Sequence, residues 1–197
     1  MNLPNKLTML RIIMIPVFVA CFFLPGAWTV GTVNGEALQL RYIIAAVVFL
    51  AAYVTDTLDG RIARSHNLVT DFGKLMDPTA DKLLTSAAMI MLCQHEVMSV
   101  GNFLMPVFTI VVISREIFVS GIRQLAASNG IVIAAKPIGK AKTTLQFAAL
   151  LVTLGLGQLF HAIHIPVDFV LMCAAVLLTI WSGIDYTLAS KALFANK

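Results

Sequence analysis

The chain has 197 residues, 59% hydrophobic and 12% charged, with a net charge of +4 and a mean hydropathy of +0.89. A soluble domain carries about 25% charged residues, so this composition excludes a soluble globular protein and describes a polytopic membrane protein. The length suits one integral-membrane domain, residues 1–197, of about six helices at roughly 20 residues each; no linker, low-complexity tract or internal repeat divides it.

Apolar runs near residues 7–25, 38–58, 82–94, 103–122, 143–160 and 166–190 predict an all-α fold of six transmembrane helices. Only a proline and one lysine precede the first run, with no small-residue cleavage site, so it reads as a retained helix. Pro16 is expected to kink it. The third run is too short to span unless its helix starts at Pro78, just after Asp77; proline is tolerated in a first helical turn. Pro25-Gly26, Asn34-Gly35 and Gly101-Asn102 punctuate the exterior connections. Cys21, Cys93 and Cys173 lie in apolar stretches, show no metal-ligand spacing and read as small buried hydrophobes. His95, His161 and His164 fall near the outer interface, and Trp28 and Trp181 fit interfacial anchoring or packing.

Of the 14 Lys and Arg residues, only Arg41 falls on the side of those exterior turns. The others flank the termini, the loop between helices two and three, and the loop between helices four and five. The positive-inside rule then puts both termini at the cytoplasmic face of the cell (inner) membrane. The positive balance agrees with an anionic leaflet or anionic substrates, and no nucleic-acid partner is expected.

Four of the 10 acidic residues, Asp56, Asp59, Asp77 and Asp81, fall within 26 positions on that same cytoplasmic side. A carboxylate next to lipid is costly unless it is paired, hydrated or bound to a cation. Asp56 and Asp59 are three apart and Asp77 and Asp81 four apart, so each pair shares one helix face. Four converging carboxylates suit hard divalent cations, Mg²⁺ or Mn²⁺. Gly60, Ala63 and Gly73 leave room for close approach of a ligand or another backbone, while packing or a turn is the plainer account of the two glycines taken alone. Arg64 stands near enough to reach a phosphate of the same ligand. Two metal ions beside carboxylates and basic groups suit phosphoryl-type transfer. A cation transporter is the alternative from another class, since intramembrane carboxylates often mark ion paths.

The pattern Asp56-x2-Asp59-Gly60-x2-Ala63-Arg64-x8-Gly73-x3-Asp77-x3-Asp81 resembles the complete signature of the CDP-alcohol phosphotransferases, with eight fixed residues at fixed gaps. The opening Pro4-Asn5-Lys6-Leu7-Thr8-x2-Arg11 resembles that of one branch of the family, the bacterial phosphatidylglycerophosphate synthases. So do Ser114-Arg115-Glu116, Ser120-Gly121-x-Arg123 and Gly139-Lys140-x-Lys142-Thr143. The resemblance implies a dimeric enzyme of six transmembrane helices. Its reaction moves a phosphatidyl group from CDP-diacylglycerol to an alcohol and releases CMP. By match, Asp56, Asp59 and Asp77 would ligate metal, and Asp81 would both touch metal and serve as general base. Gly60, Ala63, Arg64 and Gly73, with Asp56, would line the CDP-lipid site. In the branch named, the acceptor is sn-glycerol 3-phosphate; inositol phosphate is the alternative.

A phosphorylated acceptor is a dianion and needs a basic pocket. Arg115 interrupts an apolar helix, and Arg123 lies about two turns further along the same face. Lys140 and Lys142 sit at the mouth of helix five. Guanidinium groups bind phosphate in a bidentate manner, with lysine adding point charge, so these four are the candidate acceptor contacts. A structural ion pair with Glu116 is the other reading of Arg115, and Lys136 reads equally as a solvated charge. Asn5, Thr8 and Arg11 either bind the nucleotide or orient an interfacial segment. His66 lies in the signature loop.

Overall fold

A computed structural model of the protein describes the backbone of residues 3–65, 71–128 and 137–194 and the side chains of residues 8–55, 79–128 and 137–188. It is mostly helical. The long helices are α1 (Leu3–Cys21), α2 (Leu40–Ser65), α3 (Asp71–Gln94), α4 (Met105–Ser128), α5 (Pro137–Ile163) and α6 (Val167–Phe194). Among the described residues, three segments, Asn102–Ser128, Pro137–Ile163 and Val167–Leu188, are long and apolar enough to cross a membrane, and Thr8–Cys21 and Leu40–Thr55 are shorter apolar helices. Large apolar side chains face outward, with Phe103 81%, Ile117 69% and Leu177 67% exposed. In water such patches would drive association; against lipid they are the ordinary surface of a multi-pass membrane protein.

The structure corrects the sequence expectation at two places. The connection between α1 and α2 is a two-stranded antiparallel hairpin, β1 (Thr29–Val33) and β2 (Glu36–Gln39), so the fold is not purely α. Its turn is Asn34-Gly35, with φ of 51° and 88°. Asn-Gly favours this left-handed pair because glycine has no Cβ and asparagine tolerates the region. The hairpin leans on α5 through Asn34 Nδ2, which donates to the Ala162 carbonyl at 2.8 Å, and through Gln39 N, which donates to Gln158 Oε1 at 2.7 Å.

The second correction concerns α3, which starts at Asp71 rather than Pro78. A helix at a membrane surface can begin in a charged segment, where water satisfies its first N–H groups, so the apolar run marks only its buried part. Likewise α2 runs past its apolar stretch to Ser65. Both aspartate pairs therefore lie on helical backbone. By contrast, α5 opens with Pro137 as its first residue, where a missing N–H is harmless.

The helices pack as a closed ring in the order α1, α2, α5, α6, α4, α3 and back to α1. Phe18, Phe22, Phe49, Leu84, Met89, Leu150 and Met172 fill its interior. Ala45, Ala52, Ala88, Ala149 and Ala175 are also buried there, and such small residues let helix backbones approach closely. The Tyr53 and Phe147 rings stack at 3.5 Å between centroids, joining α2 to α5.

At the end of the ring that carries the hairpin, Asp168 in the first turn of α6 is fully buried. One carboxylate oxygen accepts from the Ser99 backbone N–H at 2.8 Å and the other from the Ser99 hydroxyl. A buried acid is well placed at a helix N-terminus, where the dipole and free N–H groups favour negative charge. Just past the end of α3, His95 Nδ1 lies 3.2 Å from the Tyr42 hydroxyl; burial and then the Arg41 charge hold the imidazole below its ordinary pKa.

The connection before α4 passes very close to α5 and α6. A Cβ at Gly157 would lie 2.5 Å from the Val97 carbonyl oxygen and 3.4 Å from Asp168 Oδ2. Backbone cannot yield as a side-chain tip does, so Gly157→Ala is expected to destabilise the fold by about 1–3 kcal/mol. Thermal unfolding in detergent measures this, and an unchanged midpoint would refute the close packing.

Candidate functional site

At the end of the ring where α3 begins, α3, α4 and α5 enclose a polar pocket of ≈ 220 Å³. Asp81 and Lys82 enter from α3, Arg115, Glu116, Ser120 and Arg123 from α4, and Lys140 from the first turn of α5. The α4 contribution follows from helix periodicity. Arg115 and Arg123 are eight apart, and Glu116 and Ser120 four apart, so both pairs fall on adjoining stripes of one face.

Arg115 is held on three sides. Its Nη1 lies 3.2 Å from Glu116 Oε1, its Nη2 donates to Ser182 Oγ at 2.8 Å, and the Tyr186 ring centroid lies 5.8 Å from its guanidinium carbon. The Nε is buried and has no hydrogen-bond partner among the described residues. Room for the side chain comes from Gly183, where a Cβ would lie 3.2 Å from Arg115 Cγ. Arg123 donates from Nη2 to the Tyr186 hydroxyl, and its guanidinium lies 5.0 Å from the same ring centroid. Tyr186 is buried. One tyrosine thus backs both arginines, joining a hydrogen bond to cation–π attraction.

Glu116 is, with Asp81, one of two acids inside this basic cluster. Its Oε1 takes both Arg115 and the Lys142 ammonium. Sequence neighbours do not normally face each other on a helix, yet here the long arginine bends back to its neighbour. The Ser120 hydroxyl donates to the Glu116 carbonyl at 2.6 Å and accepts from Lys82 Nζ. A chain of bonds therefore runs from α3 to α4, and the Glu116–Lys142 pair carries it to α5.

Among the sequence-predicted residues, Asp81, Arg115, Arg123 and Lys140 meet in the pocket. Lys142 is 2% exposed and lies behind the pocket, on Glu116, so its charge is already matched inside the protein. Arg115 lines the pocket and pairs with Glu116, which combines the two readings left open for it. Thr8 and Arg11 are buried in the ring. The side chains of Asn5, Asp56, Asp59, Gly60, Ala63, Arg64, Gly73 and Asp77 lie outside the described residues, although their backbone is helical. His66 and Lys136 also lie outside them. Among the described residues no three His, Cys, Asp or Glu side chains converge as a metal site.

Sequence reasoning missed the contribution of α6. Ser182 and Tyr186 are polar-tipped residues four apart on a largely apolar helix, with Gly183 beside Ser182. That spacing was the available signal, because polar groups in a membrane helix usually face a partner. Beside the pocket, an apolar groove of ≈ 570 Å³ runs between α4 and α6, lined by Val111, Phe118, Ile180, Ile184 and Leu188, and it shares Arg115 with the pocket.

Residues 1–181 match the family model for CDP-alcohol phosphatidyltransferase. The chain is 40% identical over 186 residues to a CDP-diacylglycerol–glycerol-3-phosphate 3-phosphatidyltransferase of Bacillus subtilis strain 168, covering 94% of this chain and 93% of that protein. Proteins of the same name from Escherichia coli K12 and Shigella flexneri are 35% identical over 196 residues, covering 97% of this chain and 96% of theirs.

Proposed function

Because the chain belongs to the CDP-alcohol phosphatidyltransferase family, we propose that it transfers the phosphatidyl group of CDP-diacylglycerol to sn-glycerol 3-phosphate, giving phosphatidylglycerophosphate and CMP. The carrying observation is the pocket that joins Asp81 to the cations Lys82, Arg115, Arg123 and Lys140. Those cations suit the acceptor's phosphate, with the arginines able to make paired hydrogen bonds to its oxygens. Asp81, in the same pocket, takes the proton from the acceptor's primary hydroxyl. That oxygen attacks the phosphorus bearing diacylglycerol in line, and CMP leaves without a covalent enzyme intermediate.

The remaining lipid binds from the side. The α4–α6 groove reaches Arg115 from the apolar flank, which suits a substrate with one end in lipid and the other in a polar pocket. Gly60, Ala63, Arg64 and Gly73, with Asn5 and Thr8, are assigned to the CDP-lipid by their match to the family pattern. The donor set of Asp56, Asp59, Asp77 and Asp81 is all-oxygen and anionic, so it fits Mg²⁺ or Mn²⁺. Two such ions, when bound, would neutralise the diphosphate and stabilise departing CMP. The six helices cross the cell membrane with both termini and the site on the cytoplasmic side, and two chains pair as a homodimer.

Purified protein given CDP-diacylglycerol and labelled acceptors tests this reading. CMP release is expected with sn-glycerol 3-phosphate, lost with EDTA and restored by Mg²⁺ or Mn²⁺. Turnover with inositol phosphate instead would change the acceptor, and ion flux into proteoliposomes without CMP release would favour a transporter.

A further inference from the structure

A carboxylate in a phosphate pocket opposes its ligand, so Glu116 needs a reason to be there. Neutralising buried Lys142 explains one of its oxygens. Oε1 takes both Lys142 and Arg115, whereas Oε2 has no hydrogen-bond partner among the described residues. The side chain is 16% exposed and lines the pocket. With one oxygen tied to two cations, the carboxylate plane is fixed, and the other oxygen is left as a pure acceptor. Around it, Lys82, Arg115, Arg123 and Lys140 are pure donors. A phosphate satisfies donors; an acceptor calls for a hydroxyl.

We propose that Glu116 Oε2 accepts a hydrogen bond from the secondary hydroxyl of the acceptor, so that the pocket selects a hydroxylated alkyl phosphate over one lacking that group. This rests on the acceptor reading of the pocket. Glycerol 3-phosphate has a phosphate for the cations, a primary hydroxyl for Asp81, and one further hydroxyl, which Glu116 reads. A site built to bond a hydroxyl rejects an analogue without it, because the protein's own polar group is then stranded.

The test compares kcat/KM for sn-glycerol 3-phosphate and for 3-hydroxypropyl phosphate, which keeps the phosphate and the primary hydroxyl but lacks the secondary one. The wild-type protein should prefer the first by about 10- to 100-fold, as expected for one charge-assisted bond. Glu116→Gln should cut that preference at least about fivefold, since a neutral bond replaces a charged one. The double variant Glu116→Leu/Lys142→Leu removes both partners of the ion pair together, guarding against misfolding, and should bring the preference near unity. A wild-type preference near unity, or variants that weaken both acceptors by the same factor, would overturn the proposal and leave Glu116 as the counterion of Lys142. Arg115→Ala, measured alongside, should weaken both acceptors, because both carry the phosphate that it binds. If it weakens neither, the acceptor reading of the pocket fails instead.

Discussion

Asp81→Asn is expected to abolish phosphatidyl transfer while leaving CDP-diacylglycerol binding largely intact. The amide matches the carboxylate in size and shape but cannot take up the acceptor's proton. Loss of a general base costs about 10²–10⁴ in rate, and a metal ligand is weakened at the same time, so kcat should fall at least about 10³-fold, or roughly 4 kcal/mol of transition-state stabilisation. Asp56, Asp59 and Asp77 remain for the diphosphate, so binding of labelled CDP-diacylglycerol should change only a few-fold. Asp81 is the member of the four whose described side chain lies in the same pocket as Arg115, Arg123 and Lys140, which gives it a role apart from the others. Turnover near the wild-type rate would remove it from the reaction.

Arg115→Ala is expected to raise KM for glycerol 3-phosphate by about 10- to 100-fold, with KM for CDP-diacylglycerol changed less than about threefold. The bonds to Glu116 and Ser182 occupy only part of the guanidinium's donor set, leaving donors for a phosphate. Each charge-assisted bond lost costs about 1.5–3 kcal/mol, and 1.4 kcal/mol is tenfold in affinity. Alanine leaves the Glu116–Lys142 pair in place, so the fold should persist. Arg115→Lys should recover only part of the loss, because an ammonium lacks the planar fork. Steady-state kinetics with each substrate varied in turn separates the cases; a larger change in KM for the CDP-lipid would move Arg115 to the nucleotide side.

Much of this site was readable from residue types at fixed spacing. Arg115 in an apolar helix announced itself because an unpaired charge there is costly, and Arg123 followed from helical periodicity. Lys140 and Lys142 looked equivalent in sequence, yet they are two apart on α5 and so point in different directions. One faces the pocket and the other turns inward to Glu116. In sequence Glu116 presents itself only as a partner of Arg115, because its second cation comes from another helix. The hairpin is hidden for a different reason: Asn34-Gly35 marks a turn, but strands this short carry little pattern beyond it.

By itself the sequence determined the membrane setting, the mostly helical character of the chain, and the spacing of the aspartate pairs. These rest on composition and on periodicity within one helix, both local properties of the chain. The tertiary structure alone decided that Ser182 and Tyr186 brace Arg115 and Arg123 across separations of 67 and 63 residues, and that Lys142 reaches Glu116 across 26. Those contacts depend on the order of helices around the ring and on how far each is rotated about its own axis. Both are set by the packing of all six together, which no local pattern encodes.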